Sequence, residues 1–498
     1  MSPADRPNIL LILTDQQRRD SLGCYGNSHI RTPNLDALAR DGVCFENHFV
    51  TNVVCMPSRA SLLTGRYPNR HRVNTNGCSL PLAELTLAET LRQSGYRTAA
   101  AGKMHLSSYQ APLEKGSPES REWWDAGKRL PLPYYGFEEV KLATAHGPGD
   151  YADYYRDLGA IDPALPALLS AEKALAQSGA PSSWKSAIPE QYHSSTWVAD
   201  RSIEYIESFA RADAPFFMFA SFPDPHFPYC PPQPFCDMYD PASVPMPNRS
   251  PLEAATASTE LQHRWDQFVE WLGYHALDMP DEYIREIIAH TYGMVSLVDK
   301  NVGRLFDCLR TTDTWDNTIV VFLSDHGEHM GDHYLIYKRL IFDELARVPS
   351  IWRVPGAFAR NQRSAGFSSM IDVMPTLLEL AGVPVPPGVQ GVSLQDALAG
   401  KDWPGRGWAL IENDDISDSH NLQDHAFGRS LRTEEFSLNV YDSRADGEFY
   451  NLQKDPGELH NVWSEPAYAA ARAELLKQLV TCTTAAAFDF KNLAVGQT

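Results

Sequence analysis

The run Ile9-Leu10-Leu11-Ile12-Leu13-Thr14-Asp15-Gln16-Gln17 decides how this chain is to be read. Five aliphatic residues without a polar break suit a strand buried on both faces of a parallel sheet, and an acidic residue follows at once. Three further apolar runs also lead into ionisable residues. Thr98–Ala101 leads into Gly102-Lys103-Met104-His105, Phe216–Ala220 into Pro223-Asp224-Pro225-His226, and Ile319–Leu323 into Ser324-Asp325-His326. Between them lie segments of helical period at Asn34–Asp41, Leu85–Ser94 and Tyr283–Leu309. Alternating strands and helices predict an α/β layer architecture. Ligands of such sheets bind outside the carboxyl ends of the strands, so Asp15, Lys103, His105, His226, Asp325 and His326 are expected at one edge. A single Asp after a strand is commonly a helix cap or turn former; the fourfold recurrence is what argues for a site.

At 498 residues the chain exceeds one ordinary domain and can bury a large core without disulfides. A composition 43% hydrophobic and 21% charged excludes disordered and fibrous classes. With 63 acidic against 43 basic residues the formal charge is −20, which argues against nucleic acid or an anionic membrane as partner. A site for an anionic substrate must therefore gather its own local positive charge. The 8 cysteines form no Cys-x-x-Cys pair, as in a reduced compartment, and all but Cys55 read as structural thiols. Residues 1–8 lack an apolar signal core and Ile9–Leu13 is too short to span a bilayer, so a cytoplasmic location is expected.

Residues 107–190 and 228–282 break the strand–helix rhythm and read as insertions, the first rich in Pro, Gly, Trp and Tyr. Its aromatic residues suit either the wall of a substrate pocket or plain packing. The segment GVPVPPGVQG at 382–391 reads as a linker or long loop, dividing a catalytic part, 1–385, from a smaller part, 386–498. Strand-like pieces at Trp408–Ile411 and Phe436–Val440 and a helix near Ala467–Leu479 make the smaller part α+β. The acidic stretch Glu412–Asp415 with Asp418 reads as a solvated loop, and the tail Ala485–Thr498 as a candidate contact in a homo-oligomer.

The chemistry concentrates at Cys55-Met56-Pro57-Ser58-Arg59-Ala60-Ser61-Leu62-Leu63-Thr64-Gly65-Arg66. Pro57 suits the first turn of a helix and Gly65 its stop. Cys55 and Arg59, four apart, then share one face near free backbone N–H groups, as a nucleophile beside a guanidinium would. The competing reading is a buried, inert thiol. Asp15, Asp325 and His326 form a plausible cation site, with Ca²⁺ and Mg²⁺ favoured by the oxygen donors and the imidazole drawing it toward Mn²⁺ or Zn²⁺. His329 and His333 read as loop residues.

CMPSR followed by ASLLTGRYPNRH resembles the signature of the sulfatase family within the alkaline phosphatase superfamily. RPNILLILTDQQRRDSLGCYG, TPNLDALARDGVCFENHF, GKMH, PDPHFPY, SDHGEHMGDH and FYNLQKDPGELHNV resemble sulfatase segments in the same order, so the likeness covers nearly the whole chain. It implies a large, mostly parallel sheet sandwiched by helices, alkaline phosphatase-like, with a smaller C-terminal α+β domain. It also implies conversion of Cys55 to Cα-formylglycine by a maturation enzyme. Asp15, Gln16, residue 55, Asp325 and His326 would hold one divalent cation, Ca²⁺ first, with Mn²⁺ or Mg²⁺ as alternatives. Asp15-Gln16 and Asp325-His326 depart from the Asp-Asp and Asp-Asn of many sulfatases. Arg59, Lys103, His105, His226 and Lys338 match the basic set around the sulfate, and Asn76 matches a substrate-facing Asn of phosphonate monoester hydrolases.

The implied activity is hydrolysis of a small anionic sulfate ester, aryl or alkyl. One hydroxyl of the aldehyde hydrate attacks sulfur, and the second re-forms the aldehyde and expels sulfate. His226 would protonate the leaving oxygen, and His105 would serve the hydrate as base. The alternative is a phosphonate monoester or phosphodiester hydrolase using the same site. Gly102-Lys103-Met104-His105 argues for sulfate, since those hydrolases carry a hydroxyl-bearing segment there. A two-zinc phosphatase would need a Ser or Thr nucleophile and further ligands that the chain does not offer.

Overall fold

The computed structural model describes residues 6–212, 214–338, 340–356, 358–414 and 427–487. Its strands are β1 (Asn8–Thr14), β2 (Val43–Phe49), β3 (Arg97–Gly102), β4 (Glu139–Leu142), β5 (Ala176–Gln177), β6 (Trp184–Lys185), β7 (Phe216–Phe222), β8 (Thr318–Ser324), β9 (Ser350–Arg353), β10 (Gln362–Ser369), β11 (Trp408–Asn413), β12 (Gly428–Thr433), β13 (Phe436–Tyr441) and β14 (Gly447–Asn451). Eight of them form one sheet in the order β10-β2-β9-β8-β1-β7-β3-β4. Every pairing is parallel except those of β9, which runs antiparallel to both neighbours.

The central strands are apolar throughout because both faces of the sheet are covered. In β1, Leu10 and Ile12 enter the core on one face, while Ile9, Leu11 and Leu13 enter the core on the other. This is the period of two that a strand imposes on its side chains. Helices Ser194–Phe209 and Asp281–Thr311 cover the first face through Val198, Ile206, Ile284 and Val298. Helices Cys55–Thr64, Leu87–Gln93 and Val373–Leu380 cover the second through Leu62, Leu91 and Leu377.

The four runs singled out from sequence are β1, β3, β7 and β8, and they stand side by side as β8-β1-β7-β3. Thr14 is in register with Phe222 and Ser324, and Gly102 with Ser221, so all four chains leave the sheet at one level of the same edge. That juxtaposition builds the site.

A second sheet, β11-β12-β13-β14, is antiparallel and packs with helix Ala469–Ala487 around Leu431, Leu438, Phe449 and Leu479. The 382–391 segment is a loop that returns to the large sheet's side of the molecule, where Gln390 and Gly391 donate to the carbonyl of Gly65. Glu412 corrects the expectation of a solvated loop. It lies fully buried within β11, accepts from the backbone N–H of Asn69 at 3.1 Å, and burial pushes its carboxyl up to about 7. Asp414 pairs with Arg429, while Asp415 and Asp418 lie outside the described residues, as does 488–498 of the tail. Of the aromatic residues of the first insertion, Trp124, Tyr134, Tyr135 and Tyr154 are packing residues, all buried. Among the described residues no helix is long and apolar enough to cross a membrane.

Candidate active site

Helix Cys55–Thr64 begins on the site. Asn52 Oδ1 takes the N–H of Val54 and Asn76 Oδ1 that of Met56, so two side chains satisfy donors the helix start leaves free. Gly65, at φ 64°, ends the helix in the left-handed region that a glycine enters without strain. Cys55 is 1% exposed and Arg59 shares its face, as the spacing predicts.

Arg59 is wholly engaged. Its Nε donates to Asp325 Oδ2 at 2.7 Å and Nη2 to Asp15 Oδ2 at 2.9 Å. Nη1 donates to the carbonyl of Lys103 and to Ser221 Oγ. The guanidinium thus ties the ends of β1, β3, β7 and β8 to the helix that begins with Cys55. Ser58 Oγ adds a hydrogen bond to the carbonyl of Asp325.

The sulfur of Cys55 lies 2.9 Å from Lys338 Nζ, 3.2 Å from His326 Nε2, 3.7 Å from Asp15 Oδ1 and 3.9 Å from Lys103 Nζ. Burial and the Asp15 carboxylate push the thiol up, but Lys103, Lys338 and His326 outweigh them and leave it below its ordinary value. Burial would likewise raise Asp15, yet Lys103 at 2.6 Å, His226, Arg59 and Lys338 hold it well below the usual carboxylate range. Three cationic side chains thus face two carboxylates in a molecule whose net charge is −20. The local positive charge that an anionic substrate demands is in place.

Asp15, Cys55, Asp325 and His326 each offer a ligand atom, and these atoms lie within 4.8 Å of one another. His326 Nδ1 donates to the carbonyl of Gly327 at 2.9 Å, which turns Nε2 toward the site. Gln16 adjoins the cluster through its N–H to Asp325 Oδ1 at 3.0 Å, and its Oε1 is buried without a hydrogen-bond partner. Two carboxylates, one imidazole nitrogen and an orphaned amide oxygen fit a divalent cation of mixed oxygen and nitrogen preference.

His226 closes one side, with Nδ1 on the carbonyl of Phe227 and Nε2 3.3 Å from Lys338 Nζ. Burial and then Lys338 push its pKa well below the ordinary imidazole value. His105, at φ 53°, stacks on Tyr109 at 4.1 Å, and its N–H donates to Glu119. Its Nδ1 is buried without a partner, and burial followed by Lys103 lowers its pKa. Asn76 sits at the helix start and makes its bond to backbone there. His329 and His333 turn away, to Glu344 and Glu253. Sequence reasoning missed Ser221, Glu119, Tyr109 and Glu328. Only Ser221 carries a signal, a polar residue inside an apolar run.

The sulfatase family model matches residues 7–383, and that of the N-sulphoglucosamine sulphohydrolase C-terminal region matches 331–485. An arylsulfatase of Clostridium perfringens is 29% identical, over 95% of this chain and 94% of its own. The multifunctional alkaline phosphatase superfamily protein of Trinickia caryophylli is also 29% identical, over 93% of each. The crystal structure of phosphonate monoester hydrolase of Agrobacterium radiobacter superposes with a TM-score of 0.82 at 28% identity, covering 97% of this chain and 96% of that one. A family match over most of the chain, on this fold, makes the protein a member of the sulfatase family, the sulfuric ester hydrolases of the alkaline phosphatase superfamily.

Proposed function

We propose that the protein hydrolyses aryl or alkyl sulfate monoesters at residue 55, matured to formylglycine. The observation that carries this reading is the place of Cys55 Sγ, 2.9 Å from Lys338 and 3.2 Å from His326 Nε2, inside a four-residue ligand cluster. A divalent cation held by Asp15, Gln16, Asp325 and His326 would supply Lewis acidity toward the ester oxygens and toward a hydroxyl on residue 55. Formylglycine, made from Cys55 by a maturation enzyme, would supply that hydroxyl.

The side chains divide the remaining work. Lys338 and Lys103 present ammonium groups to the oxygens of a bound sulfate, in a buried setting where each charge counts for more than in water. Arg59 holds Asp15 and Asp325 in place, and its own charge offsets theirs. His226, with Nδ1 on the carbonyl of Phe227 and Nε2 beside Lys338 Nζ, is the group placed to protonate the leaving oxygen, while Lys338 keeps its charge. His105, kept neutral by burial and Lys103, serves as the base for the residue 55 hydroxyl.

The likeness to a phosphonate monoester hydrolase, TM-score 0.82, favours a second reading, phosphonate monoester or phosphodiester hydrolysis by the same groups. Rates for an aryl sulfate and a phenyl phosphonate monoester, compared on one preparation, separate the two. A larger kcat/KM on the sulfate is expected, and the reverse order assigns the second activity. Mass spectrometry of the peptide spanning residue 55 tests the nucleophile. Intact thiol throughout a fully active sample would refute it.

A further inference from the structure

Gln16 is held from three directions. Its backbone takes φ 66°, its N–H donates to Asp325 Oδ1 at 3.0 Å, and its Nε2 donates to Glu328 Oε2. Both residues are 1% exposed. Glu328 is itself fixed, because Oε1 accepts the N–H of Met330 at 3.3 Å. Arg18 Nη1 clamps the same loop by donating to the carbonyls of Glu328 and His329 at 3.2 and 2.7 Å.

Both oxygens of Glu328 accept, one from Gln16 Nε2 and the other from Met330 N–H, so the pair as bonded uses the amide nitrogen and leaves its oxygen turned away. Glu328 therefore selects one of the two orientations that a terminal amide could take. The oxygen is left buried with no donor to fill its lone pairs, a costly state unless another group uses it. Resting on the cation site proposed above, we infer that Glu328 is a positioning residue that turns the Gln16 carboxamide so that Oε1 serves as a cation ligand. Glu328 acts through Gln16 and does not bind the ion. The arrangement is the carboxylate counterpart of the partners that orient ligating histidines.

The test is a double-mutant cycle read by calorimetric Mn²⁺ binding to full-length, chelator-stripped protein. Glu328→Gln supplies both a donor and an acceptor, so the Gln16 amide can turn over; Glu328→Asp keeps the charge but draws it back by one methylene. Each is expected to weaken Mn²⁺ binding about 10- to 100-fold when Gln16 is present. In the Gln16→Ala background each should change binding by less than about twofold. Equal losses in both backgrounds would mean that Glu328 acts by its charge, and no loss beside Gln16 would mean that it does not act; either overturns the inference and leaves the cation site standing. Failure of the unmutated protein to bind Mn²⁺ overturns both. Thermal melting of the ion-free variants checks folding, and if Glu328→Gln does not fold, Glu328→Asp completes the cycle.

Discussion

Lys338 reaches Cys55 Sγ at 2.9 Å and His226 Nε2 at 3.3 Å, so one ammonium touches both the proposed nucleophile and the proposed proton-transfer histidine. Lys338→Ala should lower kcat by about 10²- to 10³-fold, the loss typical of removing one preorganised donor from a developing charge. Steady-state kinetics on an aryl sulfate checks this. At this scale most of the proposed cluster was legible, because Asp15, Lys103, His105, His226, Asp325 and His326 each follow an apolar run. Cys55 and Arg59 stood out by their spacing at a helix start, and Lys338 only by the likeness to sulfatases. The supporting shell was not legible. Glu119 holds the backbone of residues 105–107 through three N–H groups, yet nothing near it in sequence advertises that contact. Such residues act through the fold, so their partners are fixed only once distant segments meet.

Among the elements, β3 depends on one residue for its approach to β7. A Cβ on Gly102 would stand 1.8 Å from the carbonyl of Ser221, and its φ of +104° is closed to most side chains. That closeness lets Lys103 N–H reach the same carbonyl at 2.9 Å and aims Lys103 at Asp15. Gly102→Ala should cost about 2–4 kcal/mol, read as an earlier urea midpoint at unchanged slope, with a fall in kcat as Lys103 is displaced. The central strands could be read because double-sided burial leaves them purely apolar. The sheet's flanks were hidden: β2 carries Glu46, Asn47 and His48, and β4 is the four-residue Glu-Val-Lys-Leu. The buried place of Glu412 was equally hidden, since acidic neighbours in sequence suggest solvent and only the fold brings Asn69 to it.

For the whole molecule, His333 joins segments far apart in the chain, lying beside Glu253 and stacking on Phe342 at 3.7 Å. Burial pulls its pKa down, but Glu344, Glu253 and Asp332 outweigh it and raise the group to about 9 from an ordinary 6.5. A raised imidazole binds its proton more tightly in the folded state, so its stabilisation is complete below about 6.5 and is lost as pH rises through about 9. Melting temperatures from pH 6 to 10 should therefore fall less steeply for His333→Gln than for the unmutated protein. A parallel decline in both would show that this imidazole is not charged in the fold. The closed packing that keeps Cys55 1% exposed has a consequence in time. Any enzyme that oxidises this sulfur must grip it in an open strand of chain, before the helix has wound and the four strand ends have met. A synthetic peptide of residues 51–66 should therefore be converted readily, while the same enzyme added to finished protein should leave the thiol untouched. On the proposed maturation of residue 55, conversion would race folding, and a molecule that collapses first would be locked out.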